Sequence, residues 1–204
     1  MKGGNFVKII VVGIGKVGYT VADQLSSEKH DVTVVDTNEK VLNSALSDLD
    51  VIAVGGNGAS RSVLLEAGVE DSDLVIALTG SDEINLLCCL LATKLGTNGT
   101  IARVRNPEYN EDIRLIKDSL GLSMAINPER EAAEEILRIL KYPSAKNIDT
   151  FAKGKINIVS FTATKNCNLC GKAVKDSFSG LKARALACAV ERGNKIFIPF
   201  GDSV

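Results

Sequence analysis

Charge of one sign, long apolar runs and histidine are all scarce in this sequence, and each absence excludes a class of protein. The 204 residues carry 24 basic and 25 acidic side chains, for a net charge of -1. No basic run interleaved with aromatic residues occurs, so we do not expect nucleic acid as a partner. No apolar run approaches the roughly 18 residues that a membrane-spanning helix needs. No signal-peptide pattern opens the chain, so we expect it to be cytoplasmic.

Side chains and motifs that commonly carry catalysis are also few. The single histidine, His30, lies at the amino end of the second predicted strand, away from the edge where parallel sheets bind ligands. The sequence contains no G-x-S-x-G, Walker A or complete zinc-ligand pattern. Its five cysteines are odd in number and unevenly spaced, which argues against a disulfide framework. We therefore predict a binding protein with no catalytic residues and no metal site.

Six short apolar runs alternate with helical patterns along the first two thirds of the chain. They are Val7–Val12, Val32–Val35, Val51–Val54, Leu74–Leu78, Thr100–Val104 and Ser123–Ile126. Their nearly continuous, β-branched character is typical of strands buried on both faces of a parallel sheet. The clearest helix spans Asp82–Leu95, and another begins at Asn127–Pro128 and ends near Tyr142–Pro143. This alternation predicts an α/β fold with a doubly wound parallel sheet.

The rhythm changes after the last of these helices, where strand-rich pieces follow one another and indicate a separate α+β unit. We divide the chain into a sheet domain over residues 1–141, a linker over 142–150 and a small, incomplete lobe over 151–204. About 55 residues are marginal for forming a hydrophobic core of their own, so we expect either that the chain stops inside this lobe or that the lobe packs against another subunit. An apolar stripe from Ala132 to Leu140 fits packing on the sheet or on a second subunit, and the sequence decides neither.

A glycine-rich loop, Gly13-Ile14-Gly15-Lys16-Val17-Gly18, joins the first strand to the first helix. In such a loop Gly13 permits the tight turn, Gly15 lets the backbone approach a pyrophosphate, and Gly18 lets helix and strand pack closely. The free N–H groups that begin the helix face the phosphates. Asp36 closes the second strand about 20 residues further on, where a carboxylate accepts hydrogen bonds from both ribose hydroxyls and repels a 2′-phosphate. The two features predict NAD or NADH rather than NADP.

Polar residues follow the other strands at the same edge of the predicted sheet. Asn57 offers its amide to a base edge, although its loop also reads as a simple glycine-rich turn. The segment Thr79–Glu83 contacts the ligand, caps the next helix, or does both. Arg103 and Arg105 lie on one face at the end of a buried strand, which is costly without an anion nearby. A ligand phosphate would satisfy one of them and nearby carboxylates the other, and we expect Arg103 to contact the ligand.

Several motifs in a fixed order carry a resemblance to a known family. They are IIVVGIGKVGYTVADQL, VTVVDTNE, VGGNGAS, LVIALTGSDEINLLCCLLA, IARVRNPEY and AINPEREAAEEI. In order and spacing they resemble the TrkA-type regulatory subunits of bacterial potassium uptake systems, which are built from RCK domains (regulators of potassium conductance). The resemblance extends over residues 7–141, and the remaining tail resembles the start of an RCK C-terminal lobe more loosely.

The resemblance implies a Rossmann-like domain that binds NAD(H) or ATP/ADP, assembles into dimers and larger rings, and regulates potassium uptake. The resemblance also implies that such rings dock on the cytoplasmic face of a membrane-embedded transporter of the TrkH or KtrB type. The implied ligand residues are Gly13, Ile14, Gly15, Lys16, Val17, Gly18, Asp36, Asn57, Gly58, Thr79, Gly80 and Arg103. Glu129 matches an acidic position implicated in cation binding in some relatives. Lys16 leaves ATP and NAD both open, and a small NAD-dependent oxidoreductase is the alternative function.

Overall fold

Alternating strands and helices build the first of the two compact units into which the chain divides, Met1–Ala133 and Glu134–Val204. The structure is a computed structural model that describes residues 6–152, 155–164, 167, 169–178 and 185–203. The strands of the first unit are β1 (Lys8–Val12), β2 (Asp31–Asp36), β3 (Ile52–Gly55), β4 (Leu74–Ala77), β5 (Thr100–Arg103) and β6 (Met124–Ile126). The helices are α1 (Lys16–Ser27), α2 (Glu39–Asp48), α3 (Arg61–Glu66), α4 (Asp82–Leu95), α5 (Tyr109–Ile116) and α6 (Pro128–Lys141), with a 3-10 turn at Val69–Asp71. Helix α6 continues from the first unit into the second.

The six strands form one parallel sheet in the order β3-β2-β1-β4-β5-β6. The chain winds outward from β1 through β2 to β3, then returns to the other side of β1 with β4. This strand order is the one that defines the doubly wound Rossmann fold. The reversal between β1 and β4 leaves a crevice at the carboxyl ends of the strands, which is where such sheets bind ligands.

The sheet is buried on both faces, as the continuous apolar runs predict. Along β1, Ile10 and Val12 belong to one hydrophobic cluster, whereas Ile9 and Val11 belong to the other. Each of these four side chains is at most 4% exposed. Because successive side chains of a strand point to opposite faces, a strand covered on both sides must be apolar at every position.

Helix α4 begins and ends where its sequence signals lie. The Ser81 hydroxyl accepts the N–H of Ile84 at 3.3 Å, and Asp82 and Glu83 place negative charge in the first turn. Gly96 ends the helix at a φ of 114°, a left-handed conformation that glycine adopts without strain. The predicted span Asp82–Leu95 is confirmed, and so is the predicted α/β doubly wound fold with its six strands.

The second unit contains short antiparallel pairs. Strand β7 (Ala145–Phe151) pairs with β8 (Ile156–Phe161), and β9 (Val190–Arg192) pairs with β10 (Lys195–Phe197), with a single turn of helix α7 at Val174–Ser177. None of the residues of β7 and β8 is buried. Strand β7 occupies most of the segment 142–150, for which the sequence predicted a linker, and the division of the chain into domains stays a prediction. The hairpin partner that stabilises β7 lies further along the chain, so the local composition gave no signal.

Candidate nucleotide-binding site

The glycine loop lies between β1 and α1, and two of its glycines are required by the fold itself. Gly13 has a φ of +87°, and a Cβ there would lie 2.7 Å from the backbone nitrogen of Thr79. A Cβ on Gly18 would lie 2.0 Å from the carbonyl oxygen of Gly13. Both distances are shorter than atoms tolerate, so only glycine fits at these two positions. The loop therefore folds tightly against α1 and against the end of β4.

Gly15 differs from those two glycines, because nothing in the protein's own packing requires it. It precedes α1 with a φ of -66°, and a Cβ built on it meets no atom within 4 Å. Gly80, after β4, likewise faces open space and has no positive φ. Both positions have room for a side chain, and a ligand contact at either glycine stays a prediction. No side-chain hydrogen bond caps the N-terminus of α1, whose first N–H groups have no partner within the helix.

Asp36, the last residue of β2, lies directly beside the glycine loop. One carboxylate oxygen accepts the backbone N–H of Ile14 at 2.8 Å, and the other accepts the N–H of Asn38 at 2.9 Å. The side chain of Ile14 is only 1% exposed and belongs to the core, so only its backbone faces the site. The structure thus brings the predicted ribose-binding acid and the predicted phosphate-binding loop into contact.

The loop after β3 reaches the same edge of the sheet. Gly58 is buried against β1, where a Cβ would lie 2.1 Å from a methyl group of Val12. Asn57 is exposed, and its side-chain oxygen accepts the N–H of Ala59 at 2.9 Å. The packing on Val12 explains the glycine at 58, and the exposed amide of Asn57 points out of the core. A contact of either residue with a base stays a prediction.

A fully buried asparagine, Asn85, organises the loop after β4. Its side-chain oxygen accepts the N–H of Thr79 at 2.8 Å and the Thr79 hydroxyl at 2.7 Å. Its amide nitrogen donates to the carbonyl oxygen of Arg103 at 2.9 Å and to that of Thr79 at 3.3 Å. The sequence analysis did not identify Asn85, because in the sequence it is only one more position on the buried face of α4.

Two arginines extend from the end of β5, and each contacts a carboxylate. The guanidinium of Arg103 forms an ion pair with Glu129 in the first turn of α6. The side chain of Arg103 is 13% exposed, and its buried Nε has no hydrogen-bond partner among the described residues. Glu129 is the acid that the sequence singled out, and the hydrogen bond from Arg103 lowers its pKa.

Arg105 contacts a second carboxylate, that of Asp82. Its Nε lies 3.6 Å from a carboxylate oxygen of Asp82, and its guanidinium also donates to the carbonyl of Gly80. The second oxygen of Asp82 accepts the backbone N–H groups of Arg105 and Asn106, both at 2.8 Å. Asp82 therefore joins the start of α4 to the end of β5, in addition to its place near the helix dipole.

The remaining predicted residues of the loop have simple environments. Lys16 is exposed at the first position of α1, and Val17 is half-buried against the core on that face of the sheet. Ligand contacts through either residue remain predictions. No three His, Cys, Asp or Glu side chains in the described part of the chain are grouped so as to hold a metal ion.

The thiols nearest the site are not poised for nucleophilic chemistry. Cys88 and Cys89 are buried within α4, and burial raises the pKa of Cys88 to about 12 and that of Cys89 further still. Both thiols therefore stay protonated at neutral pH, whereas the thiolate is the reactive form. Over the described ranges, no helix is both long enough and apolar enough to cross a membrane.

Comparison with known proteins shows that the sequence of this chain matches a protein family. The model of the TrkA-N domain matches residues 9–128 of the chain. This chain belongs to the TrkA-N family. The resemblance inferred from the sequence motifs is thereby confirmed, and so is the Rossmann-like fold class.

Proteins from archaea and bacteria share this similarity. The Trk system potassium uptake protein TrkA homolog of Archaeoglobus fulgidus is 35% identical over 198 residues, which cover 97% of this chain and 44% of that protein. The TrkA protein of Haemophilus influenzae is 37% identical over 171 residues, which cover 82% of this chain and 37% of that protein. The chain thus spans less than half the length of these two relatives.

Solved structures with the same fold include a TrkA-N domain and a channel. The TrkA-N domain of the inner membrane protein ybaL from Escherichia coli aligns with a TM-score of 0.58 at 22% identity, over 69% of this chain and 99% of that one. The GsuK channel bound to NAD aligns with a TM-score of 0.59 at 22% identity, over 100% of this chain and 36% of that one. GsuK bound to ADP aligns with a TM-score of 0.50 at 26% identity, over 60% of this chain and 31% of that one.

Proposed function

We propose that this chain is the nucleotide-sensing part of a regulatory subunit that controls a potassium uptake transporter. In this proposal the chain binds NAD(H) or ATP/ADP at the carboxyl edge of its sheet. It assembles with copies of itself into a ring on the cytoplasmic side of the membrane. The ring then switches a membrane-embedded transporter of the TrkH or KtrB type.

The observation that carries the proposal is the combination of Gly15 with the contact between Asp36 and the glycine loop. Gly15 leaves open space where a pyrophosphate would lie, beside the free N–H groups that begin α1. Asp36 lies one hydrogen bond away and would bind the ribose while repelling a 2′-phosphate. The residues present therefore fit a dinucleotide or an adenine nucleotide with an unmodified ribose.

The names of similar proteins support the transport role. The curated relatives are named as Trk system potassium uptake proteins, and the similar structures include a channel with NAD and with ADP. We transfer potassium transport and nucleotide binding from them to this chain as part of the proposal. An oxidoreductase would need an acid or base beside the nicotinamide, and the described site offers no histidine and no ionised thiol.

The ion pair between Arg103 and Glu129 supports a switching mechanism in this proposal. A nucleotide phosphate that binds Arg103 competes with the Glu129 carboxylate for the same guanidinium. Because Glu129 lies in the first turn of α6, this competition makes the position of that helix depend on the ligand. A ligand can shift such an equilibrium only by its difference in affinity for the two states.

Calorimetric titration of the chain with NADH, NAD, ATP and ADP tests the proposal. We expect saturable binding of at least one of them, and a loss of affinity in Asp36→Ala. If the wild-type chain binds none of the four, the proposal is wrong. Measurement of NADH absorbance over a broad substrate panel tests the alternative, because substrate-dependent turnover would favour an oxidoreductase over a sensor.

A further inference from the structure

Asn85 uses every hydrogen-bonding position of its side chain inside the protein. An asparagine side chain can accept two hydrogen bonds and donate two, and Asn85 does both while 0% exposed. Its partners are the backbone and hydroxyl groups of Thr79 and the carbonyl oxygen of Arg103. No atom of Asn85 is left to touch a ligand, so any role in binding must act through those two residues.

The network starts where the pairing of β4 with β5 ends. The register of β4 with β5 ends at the pair Ala77 and Ala102. Thr79 lies two residues after Ala77, beyond the end of β4, and Arg103 lies one residue after Ala102, at the end of β5. From the first turns of α4, Asn85 joins Thr79 to Arg103, which is the last residue of β5. Their separation therefore depends on side chains rather than on the pairing of β4 with β5: on Asn85, and on Asp82 and Arg105, which join the next residues of the same two segments.

Thr79 in turn supports the glycine loop. The position of a Cβ on Gly13 is only 2.7 Å from the Thr79 nitrogen, so the loop lies directly against that backbone. A displacement of Thr79 would displace Gly13 and the start of α1. Asn85 thus connects three parts of the candidate site: the phosphate loop, the turn after β4, and the arginine that ends β5.

The surroundings on α4 show that this position otherwise suits an apolar residue. Asn85 shares its buried face with Cys88, Cys89 and Ala92, which are all 0% exposed. A buried amide is costly unless its hydrogen bonds are satisfied, and here every bond goes to a segment that borders the site. We propose that Asn85 is a positioning residue for nucleotide binding, which sets the placement of Thr79, Arg103 and, through Thr79, the glycine loop. This inference rests on the proposed nucleotide-binding function.

The experiment compares Asn85→Ala with Thr97→Val. Thr97 is a buried polar residue at the opposite, amino-terminal edge of the sheet, where its hydroxyl donates to the Ser72 carbonyl at 3.1 Å and accepts from the Ser72 hydroxyl at 2.8 Å. Both variants lose buried hydrogen bonds, so both are expected to be less stable. Urea unfolding measures that loss, and NADH titration by calorimetry measures binding at a temperature where each variant is fully folded.

We expect Asn85→Ala to weaken NADH binding by at least about tenfold, since it removes the hydrogen bonds that join Thr79 to Arg103. Thr97→Val should bind NADH within about twofold of wild type. Asn85→Asp keeps both acceptor contacts with Thr79 but loses both donor bonds, including the one to Arg103, so it should also weaken NADH binding. If Asn85→Ala does not fold, Asn85→Asp is measured in trimethylamine oxide, which favours the folded state.

Two outcomes would overturn the inference. One is wild-type affinity in a folded Asn85 variant, and the other is an equal loss of affinity in Thr97→Val, which would mean that stability alone controls binding. Failure of the wild-type chain to bind NADH, NAD, ATP or ADP would instead overturn the proposed function, so the two failures are distinguishable.

Discussion

The carboxylate of Asp36 accepts the backbone N–H of Ile14 at 2.8 Å, which joins the end of β2 to the glycine loop after β1. This bond places the residue expected to bind a ribose next to the loop expected to bind phosphates. It also uses only part of the carboxylate's capacity, because an ionised carboxylate offers about four acceptor positions. The remaining positions are those that a ligand's ribose hydroxyls would occupy.

Substitution of the glycines separates the demands of the fold from those of the ligand. Gly15→Ala should leave the free energy of unfolding within about 0.5 kcal/mol of wild type, because its Cβ meets nothing. It should nevertheless weaken nucleotide binding by at least about tenfold, because the new methyl group occupies the phosphate's approach. Urea unfolding and calorimetry measure the two effects.

Gly18→Ala is the matched comparison in the same loop. Its Cβ would lie 2.0 Å from the carbonyl oxygen of Gly13, so it should destabilise the chain by about 1–3 kcal/mol or more. A destabilised Gly15→Ala with unchanged affinity would contradict our interpretation of the loop.

Asp36→Asn tests how the acid selects the ribose. The substitution keeps the size of the side chain but removes the negative charge that repels a 2′-phosphate. We expect NADH to bind more weakly and the preference for NADH over NADPH to shrink by about tenfold. Asp31→Asn, an exposed substitution at the amino end of the same strand, is the control and should change neither value. Retention of the full preference in Asp36→Asn would show that another residue selects the ribose.

Glu129→Gln tests the competition for Arg103. Removal of the carboxylate charge frees the guanidinium for a phosphate, so we expect nucleotide affinity to rise by about three- to tenfold. Glu131→Gln changes an exposed acid in the same turn of α6 and should have little effect. Calorimetric titration with ADP compares the three proteins. Weaker binding in Glu129→Gln would mean that the ion pair holds Arg103 in place for the ligand instead of competing with it.

The free energy of unfolding should depend on pH through Glu83, because its hydrogen bonds favour the ionised carboxylate. Hydrogen bonds from the Ser81 hydroxyl, from its own backbone N–H and from the Tyr109 hydroxyl lower its pKa from 4.5 to about 2. A carboxyl group with a lowered pKa stabilises the folded state fully above pH 4.5, and that contribution is lost as the pH falls toward 2.

Urea unfolding of wild type and Glu83→Gln over this pH range is the measurement. The stability difference between them should be present above pH 4.5 and should disappear toward pH 2. Tyr109→Phe removes one of the three donors and should shift the loss of stability to higher pH. A difference between wild type and Glu83→Gln that does not depend on pH would contradict this account.

Much of the fold was predictable because its signals are local. The β-branched runs predicted all six strands of the sheet, and Ser81 and Gly96 mark the ends of α4 in the sequence itself. The contact between Asp36 and the glycine loop was also predictable, since the carboxyl ends of neighbouring parallel strands meet at one edge.

The missed features depend on contacts between distant segments. In the sequence, Asn85 is a polar residue on the apolar face of α4 with no evident partner. Only the fold brings the carbonyl of Arg103, 18 residues away, within hydrogen-bonding distance of it. The role of Asp82 in binding the backbone of Arg105 is hidden for the same reason. The segment that forms β7 was assigned mostly to a linker because its pairing with β8 is a contact with a later segment, and the residues of β7 alone do not reveal that contact.

The central claim is that a nucleotide binds along the carboxyl edge of the sheet, and an NMR titration of the isotope-labelled chain with NADH tests it most directly. We predict that the largest amide shifts occur at residues 13–18, at Asp36, and at Thr79 and Gly80, and that Gly15→Ala reduces them at the same NADH concentration. The absence of shifts with NADH, NAD, ATP and ADP, or shifts confined to other parts of the chain, would contradict the claim.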